Sequence, residues 1–124
     1  MRRAGRGKIV TISSGAGLQP SRTGIQAYTT AKHALVGLTK QLAVELGPHG
    51  INVNSVAPGV QRTTAERIAE WEARSEEARE AILRSIMLRR LGEPDDIADG
   101  AIFLASPYAK LITGHILPVN GGRI

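Results

Sequence analysis

The sequence contains no cysteine, few aromatic residues and no long apolar run. Without cysteine, the chain forms neither a disulfide framework nor a thiolate metal site. Aromatic residues make up only 3% of the chain, so the core is expected to consist of Ala, Val, Ile and Leu. No apolar segment approaches the roughly 18 residues of a membrane span. The basic start is not followed by the apolar segment of a signal peptide. We therefore expect a cytoplasmic protein with no membrane partner.

Acidic residues are fewer than basic ones: eleven Asp and Glu stand against sixteen Lys and Arg, which gives a formal charge of +5. Arg2, Arg3, Arg6 and Lys8 crowd the N-terminus. A basic surplus can indicate nucleic-acid binding. Here no aromatic stacking residues or reading motif accompany it, so no nucleic-acid partner is expected. The three histidines lack the spacing of metal ligands, and no metal site is predicted.

The apolar pattern predicts one α/β domain in a chain of 124 residues. Residues 9–14 and 51–56 are short and β-branched, which is typical of buried strands in a parallel sheet. Residues 27–46 repeat apolar side chains at steps of three and four, which predicts a helix between the strands. A third strand is predicted at 116–120, after a helix over 94–105 that begins at a proline. The result is three parallel strands with helices on both faces.

The loop after the first strand has two glycines but no phosphate-binding fingerprint. Gly15 and Gly17 follow the strand, but Pro20 stands where a third glycine is expected, and no helix is predicted to begin there. Backbone flexibility beside a site is the preferred interpretation. In parallel sheets, ligands bind beyond the carboxyl ends of the strands. Both Ser14 and the Pro-Gly pair at 58–59 fall there.

Residues 63–88 form a charged, amphipathic stretch that is predicted to be helical. Thr63 and Glu66 have the spacing of a capping box. The simpler interpretation of the charge is a solvated face, and the alternative is a movable lid. Two ion pairs with a spacing of four are expected on its surface: Glu70–Arg74 and Glu80–Arg84.

The most informative stretch is residues 28–32, which opens the predicted helix. Positions four apart share a helix face, so the phenol of Tyr28 and the ammonium of Lys32 project to the same side. A free phenol has a pKa of about 10, and a nearby cation lowers it. With a hydroxyl such as that of Ser14 held opposite, these groups would move a proton on or off a carbonyl or alcohol oxygen. The alternative is a partly buried ring beside a snorkelling lysine.

With these residues in view, the chain resembles the C-terminal half of the short-chain dehydrogenase/reductase family over nearly all of its length. The resemblance implies a partial Rossmann-like, doubly wound parallel sheet. Four features carry it: the strand end at Ser13 and Ser14 with the Tyr28–Lys32 pair, and the segments 52–59, 90–98 and 114–122.

The resemblance implies hydride transfer between NAD or NADP and a small alcohol or carbonyl substrate. Tyr28 would be the general acid-base, Lys32 would lower its pKa and hold the nicotinamide ribose, and Ser14 would orient the substrate oxygen. Thr63, or the backbone after Pro58, would meet the carboxamide. The implied cofactor-binding residues are Tyr28, Lys32, Pro58, Gly59, Val60 and Thr63.

Two departures from the family pattern affect these expectations. The loop from Ser14 to Tyr28 is one residue longer than the family's usual spacing, which leaves Ser13 open as the catalytic serine. The family's first half, with its glycine-rich cofactor turn, is absent from residues 1–124. This chain is therefore expected to be the C-terminal catalytic half, inactive as an isolated fragment.

The helix at 27–46 is the expected surface for binding a second subunit. Its small residues Ala34 and Gly37 would let another helix approach closely. In the family, the corresponding helix builds subunit interfaces, which implies a homo-oligomer through residues 27–46. The alternative function is a catalytically silent remnant that acts as an interaction module through the same helix.

Overall fold

Three strands and four α-helices make up the computed structural model, which describes residues 1–21 and 23–123. The strands are β1 (Gly7–Ile12), β2 (Ile51–Pro58) and β3 (Ile116–Val119). The helices are α1 (Gln26–Leu46), α2 (Ala65–Glu72), α3 (Glu76–Arg84) and α4 (Pro94–Ala105). Single 3-10 turns lie at Arg2–Ala4, Gly15–Gly17, Gly47–His49 and Pro107–Ala109. Within the described residues, no helix is both long and apolar enough to cross a membrane.

The three strands form one parallel sheet in the order β1-β2-β3. Gly7 pairs with Ile51 at one end, and Ile12 pairs with Val56 near the other. All three carboxyl ends therefore lie at one edge, as the sequence predicted. β2 is the most buried element because it lies between the two other strands and under helices.

Helices cover both faces of the sheet, which confirms the predicted layering. On one face, Val53 packs in a cluster with Ala43 of α1. On the other, a Cβ built on Gly100 of α4 would lie 3.9 Å from Val56 Cγ1. Successive strand residues point to opposite faces, and this alternation puts Val53 and Val56 on different sides.

The 63–88 stretch is two helices rather than one. The serine at position 75 caps α3: its hydroxyl accepts a hydrogen bond of 3.2 Å from the backbone N–H of Ala78. Serine favours this role because its side chain satisfies an N–H that has no partner within the helix. The predicted capping box at Thr63 is wrong. Thr64 is the cap of α2, and its hydroxyl accepts from the N–H of Arg67 at 3.3 Å.

Only one of the two predicted surface ion pairs forms as expected. Glu80 and Arg84 lie 3.1 Å apart on α3. Glu70 pairs instead with Arg67, also at 3.1 Å. The reason is that α2 ends at Glu72, so Arg74 is no longer one helical turn from Glu70.

Candidate active site

Lys32 lies where the end of β1 meets α1. Its ammonium donates a hydrogen bond of 2.9 Å to the carbonyl oxygen of Ile12. The same nitrogen lies 5.5 Å from the centre of the Tyr28 ring, so the two side chains share a helix face as their spacing predicted. Tyr28 is 48% exposed. Among the described residues Lys32 has no ion-pair partner, so its positive charge is not neutralised by a carboxylate.

The two serines after β1 have different surroundings. Ser13 is only 2% exposed, and its hydroxyl donates a hydrogen bond of 2.9 Å to the carbonyl oxygen of Lys32. Ser14 is partly exposed, and its hydroxyl accepts from the N–H of Ala16 at 3.2 Å. The proton of Ser13 is therefore used inside the protein. Within the described residues the hydroxyl of Ser14 donates no hydrogen bond, although it has one proton to donate.

Gly17 packs against α1 so closely that no side chain fits. A Cβ built there would lie 2.5 Å from Ser13 Oγ and 2.7 Å from the carbonyl oxygen of Lys32. The sequence suggested backbone flexibility for the glycines of this loop. At Gly17 that interpretation is wrong, because the glycine is needed for close approach. It lets the loop fasten the end of β1 to the turn of α1 that carries Lys32.

The end of β2 lies beside this loop, as its place in the parallel sheet predicted. A Cβ built on Gly15 would lie 3.6 Å from the carbonyl oxygen of Pro58. The next residue, Gly59, donates its N–H to the carbonyl oxygen of Val119 at 3.1 Å. A Cβ at Gly59 would lie 2.7 Å from Cβ of Asn120. The ends of all three strands are therefore tied together around the candidate site.

The segment at 63–91, which contains α2 and α3, has its two ends tied together by backbone hydrogen bonds. It contacts the body again near its end, where the N–H of Leu88 donates to the carbonyl oxygen of Gly121 at 3.0 Å. The N–H of Gly92 donates to the carbonyl oxygen of Val60, and the N–H of Arg62 donates to the carbonyl oxygen of Gly92, both at 3.0 Å. Thr63 follows directly and is exposed. Its hydroxyl has no hydrogen-bond partner within the part of the chain that the structure describes.

An arginine–aspartate pair fastens the far end of this segment to α4. Arg90 donates two hydrogen bonds, each 2.7 Å, to the carboxylate of Asp96. The backbone N–H of Glu93 donates a third, of 2.8 Å. These bonds, that from Arg90 first, hold the pKa of Asp96 well below its ordinary value. In turn, the pKa of Arg90 is raised, first by its hydrogen bonds to Asp96.

Sequence reasoning missed the contacts of Ser13 and Gly17. The hydrogen bond from Ser13 joins residues 19 apart, and that from Lys32 to Ile12 joins residues 20 apart. Helical or strand periodicity gives no signal at such separations. The one available signal was the pair of adjacent serines at a strand end, which left the choice between Ser13 and Ser14 open.

A parallel sheet between helix layers, with polar side chains beyond the carboxyl ends of its strands, defines a protein of the doubly wound α/β class. A family model described as "Enoyl-(Acyl carrier protein) reductase" matches residues 1–123. The chain is also 43% identical over 122 residues to "Dehydrogenase/reductase SDR family member 4" of Homo sapiens. This chain belongs to the short-chain dehydrogenase/reductase family.

Solved structures extend the likeness to the fold. "ElxO with NADP Bound" superposes with a TM-score of 0.86 at 38% identity. A 3-oxoacyl-[acyl-carrier protein] reductase with bound NAD from Brucella melitensis gives 0.82, also at 38% identity. The matches cover 98% and 99% of this chain, but 48% and 43% of those chains. The match to the human relative covers 98% of this chain and 42% of that protein. The chain thus spans less than half the length of these relatives.

Proposed function

We propose that this chain supplies the catalytic half of an NAD- or NADP-dependent oxidoreductase that interconverts alcohols and carbonyls. The observation that carries the proposal is the pairing of Tyr28 with Lys32, whose ammonium is anchored on Ile12 at the end of β1. Family membership supports it, and so do the similar structures with bound NADP and NAD.

Tyr28 is the proposed general acid and base. Its phenol is accessible, and the nearby ammonium of Lys32 is not paired with a carboxylate among the described residues. That ammonium stabilises the negative charge left when the phenol gives its proton to a carbonyl oxygen. Ser14 is the proposed donor that orients the substrate oxygen. The burial of Ser13, and its bond to the carbonyl of Lys32, support Ser14 for this role.

The groups at the strand ends fit the nicotinamide end of a dinucleotide. An ammonium carries three N–H donors, and Lys32 spends one on Ile12, which leaves two for the hydroxyls of a ribose. The backbone at Pro58, Gly59 and Val60 and the hydroxyl of Thr63 are the proposed contacts for the carboxamide. When bound, the nicotinamide ring supplies or accepts the hydride.

The proposal also assigns residues 1–124 to the C-terminal half of a longer catalytic domain. No glycine-rich turn at a helix N-terminus, the usual seat of a pyrophosphate, occurs in this sequence. We therefore expect the 124-residue chain by itself to bind NADH and NADPH weakly. Calorimetric titration checks this expectation, and binding at micromolar concentrations would contradict it.

A chimaera tests the catalytic proposal directly. The N-terminal part of the Brucella melitensis reductase is joined to residues 1–124 of this chain at the boundary given by the structural match. The chimaera is expected to bind NADH or NADPH and to reduce carbonyl compounds drawn from a broad panel. Loss of turnover in Lys32→Ala, with nucleotide binding also weakened, supports the assignment. A chimaera that binds nucleotide yet turns over equally well with Lys32→Ala would sink it.

The exposed face of α1 supports a second proposal, that the chain forms homo-oligomers through this helix. Leu38 and Val44 are 48% and 72% exposed, and Ala34 and Gly37 beside them are small and exposed. The alternative function, a catalytically silent interaction module, rests on the same face. Leu38→Glu should lower the mass measured by light scattering, whereas Tyr108→Glu, at a position 88% exposed elsewhere, should not. Equal mass in both variants would count against this interface.

A further inference from the structure

The charges of this chain are divided unevenly between two regions. Residues 66–99 contain ten acidic and six basic residues, a formal charge of −4. The rest of the chain contains one acidic and ten basic residues, a formal charge of +9. The positive charge of the chain is therefore carried by residues outside 66–99. An anion approaching the molecule is drawn to the part of the chain outside residues 66–99 and repelled from residues 66–99.

Part of this positive charge surrounds a hollow at the amino ends of β1 and β2. The hollow has a volume of about 420 Å³, and six residues line it: Arg6, Gly7, Lys8, Gly50, Asn52 and Lys110. Three of the six are cationic, and none is acidic or aromatic. The hollow lies at the opposite end of the sheet from Ser14. The six residues of β1 separate the two sites by about 20 Å, at roughly 3.3 Å per residue.

Hydrogen bonds fix one wall of the hollow. Lys8 Nζ donates to the carbonyl oxygen of Ala109 at 2.9 Å. Asn52 Nδ2 donates to the carbonyl oxygens of Lys110 and Ile112 at 3.2 and 3.0 Å. The loop that carries Lys110 is therefore held against the starts of both strands. Two of the three N–H donors of Lys8 are left for a ligand.

The opposite wall is fixed by backbone packing. Gly50 has φ of +70°, and a Cβ built on it would overlap the carbonyl oxygen of Gly5. Only glycine permits this approach, which holds the backbone before Arg6 against the start of β2. Neither Arg6 nor Lys110 has an ion-pair partner among the described residues. Two separate stretches of chain, residues 6–8 and the loop at Lys110, thus bring unpaired cations to one concave site.

We propose that this hollow binds a small oxyanion with at least two negative charges, of the phosphate or diphosphate class. A guanidinium offers a planar fork of donors that matches phosphate oxygens, and lysine ammoniums add point charges. The volume is that of a small-molecule site. Its lining has no aromatic side chain on which bases would stack, which favours a small anion over a nucleic-acid strand. The anion is either free or part of a larger phosphorylated molecule.

The test is calorimetric titration of the 124-residue chain with inorganic pyrophosphate at low ionic strength. Saturable binding at one site is expected. Arg6→Gln and Lys110→Gln should each weaken it about tenfold or more, because each removes a charge-assisted hydrogen bond. Arg74→Gln removes the same charge from an exposed position outside the hollow and should leave the affinity unchanged. Circular dichroism checks that every variant keeps the parental helix content.

Glycerol 3-phosphate, titrated in parallel, distinguishes the two sources of the anion. Tighter binding of pyrophosphate would indicate that the natural ligand is a free anion. Tighter binding of glycerol 3-phosphate would indicate a phosphorylated organic ligand. Either result supports the proposed site. Absence of saturable binding by both would overturn the proposal, as would equal weakening by Arg74→Gln. Binding of single-stranded DNA that pyrophosphate does not displace would also overturn it. None of these measurements involves turnover, so failure here leaves the proposed function untouched.

Discussion

The end of β1 and the 63–91 segment both lie at the carboxyl ends of the strands. They differ in the contacts that hold them to the rest of the protein. At the end of β1, hydrogen bonds from Ser13 and Lys32 and the close packing of Gly17 fix three neighbouring positions. In the 63–91 segment, neither α2 nor α3 has a buried residue. The segment is held instead by the backbone bonds at its base and by Ile86, which is 1% exposed, and Leu88 after α3. The proposed chemistry thus lies on a rigid support, whereas α2 and α3 beside it have little packing against the rest of the chain.

The largest effect is expected on turnover, from a substitution beside the end of β1. In the chimaera, Tyr28→Phe should lower kcat by about 10²–10⁴-fold, the usual contribution of a general acid-base group. The unfolding temperature should stay the same, because the ring remains and the lost hydroxyl belongs to a half-exposed side chain. Steady-state kinetics measure the change, with Tyr108→Phe as the matched control. Near-parental turnover of Tyr28→Phe would refute the assignment.

Two glycine substitutions compare a crowded position, Gly17, with an open one, Gly37. Gly17→Ala should destabilise the chain by about 1–3 kcal/mol, because its new methyl group meets backbone and Ser13 with no room to shift. Gly37→Ala lies in α1 with nothing within 4 Å of the added atom. It should stabilise by about 0.5–1 kcal/mol through helix propensity. Urea unfolding measures both. A neutral Gly17→Ala would show that the loop is not fastened there.

The stabilisation from the Arg90–Asp96 ion pair should decrease in acid. The pKa of Asp96 is lowered on folding, so its contribution to stability is complete above the ordinary aspartate value of about 3.9. It is lost as the pH falls below that value. Asp96→Asn should therefore be less stable than the parent at neutral pH, and the gap should narrow below about pH 4. Thermal unfolding across this range measures it, and a constant gap would contradict the tie.

The smallest effect is expected within the 63–91 segment. Ser75→Ala removes the cap of α3 and should weaken that helix by about 1 kcal/mol. Because α3 has no buried residue, the loss should stay local. Hydrogen exchange should quicken at residues 76–84 and stay unchanged in β2. Faster exchange in both regions would mean that α3 and the sheet unfold together, which would contradict the expected local effect.

Much of the fold was readable from the sequence. The apolar periodicity of α1 and the β-branched runs of β1 and β2 predicted these elements to within a few residues. Prediction was weaker at 63–88, where a charged amphipathic pattern continues across Ser75 although the helix does not. A residue that caps a helix inside such a pattern carries no distinct hydrophobic signal. The break is set by the local hydrogen bond of its side chain.

The sequence by itself determined the shared face of Tyr28 and Lys32, because a spacing of four is a property of any α-helix. It also determined that the polar residues follow the strands at one edge of a parallel sheet. Only the tertiary structure decided which serine is buried, where the ammonium of Lys32 is anchored and why Gly17 is glycine. These contacts join residues that are close only because α1 packs on β1, and packing depends on the whole set of side chains between the two elements.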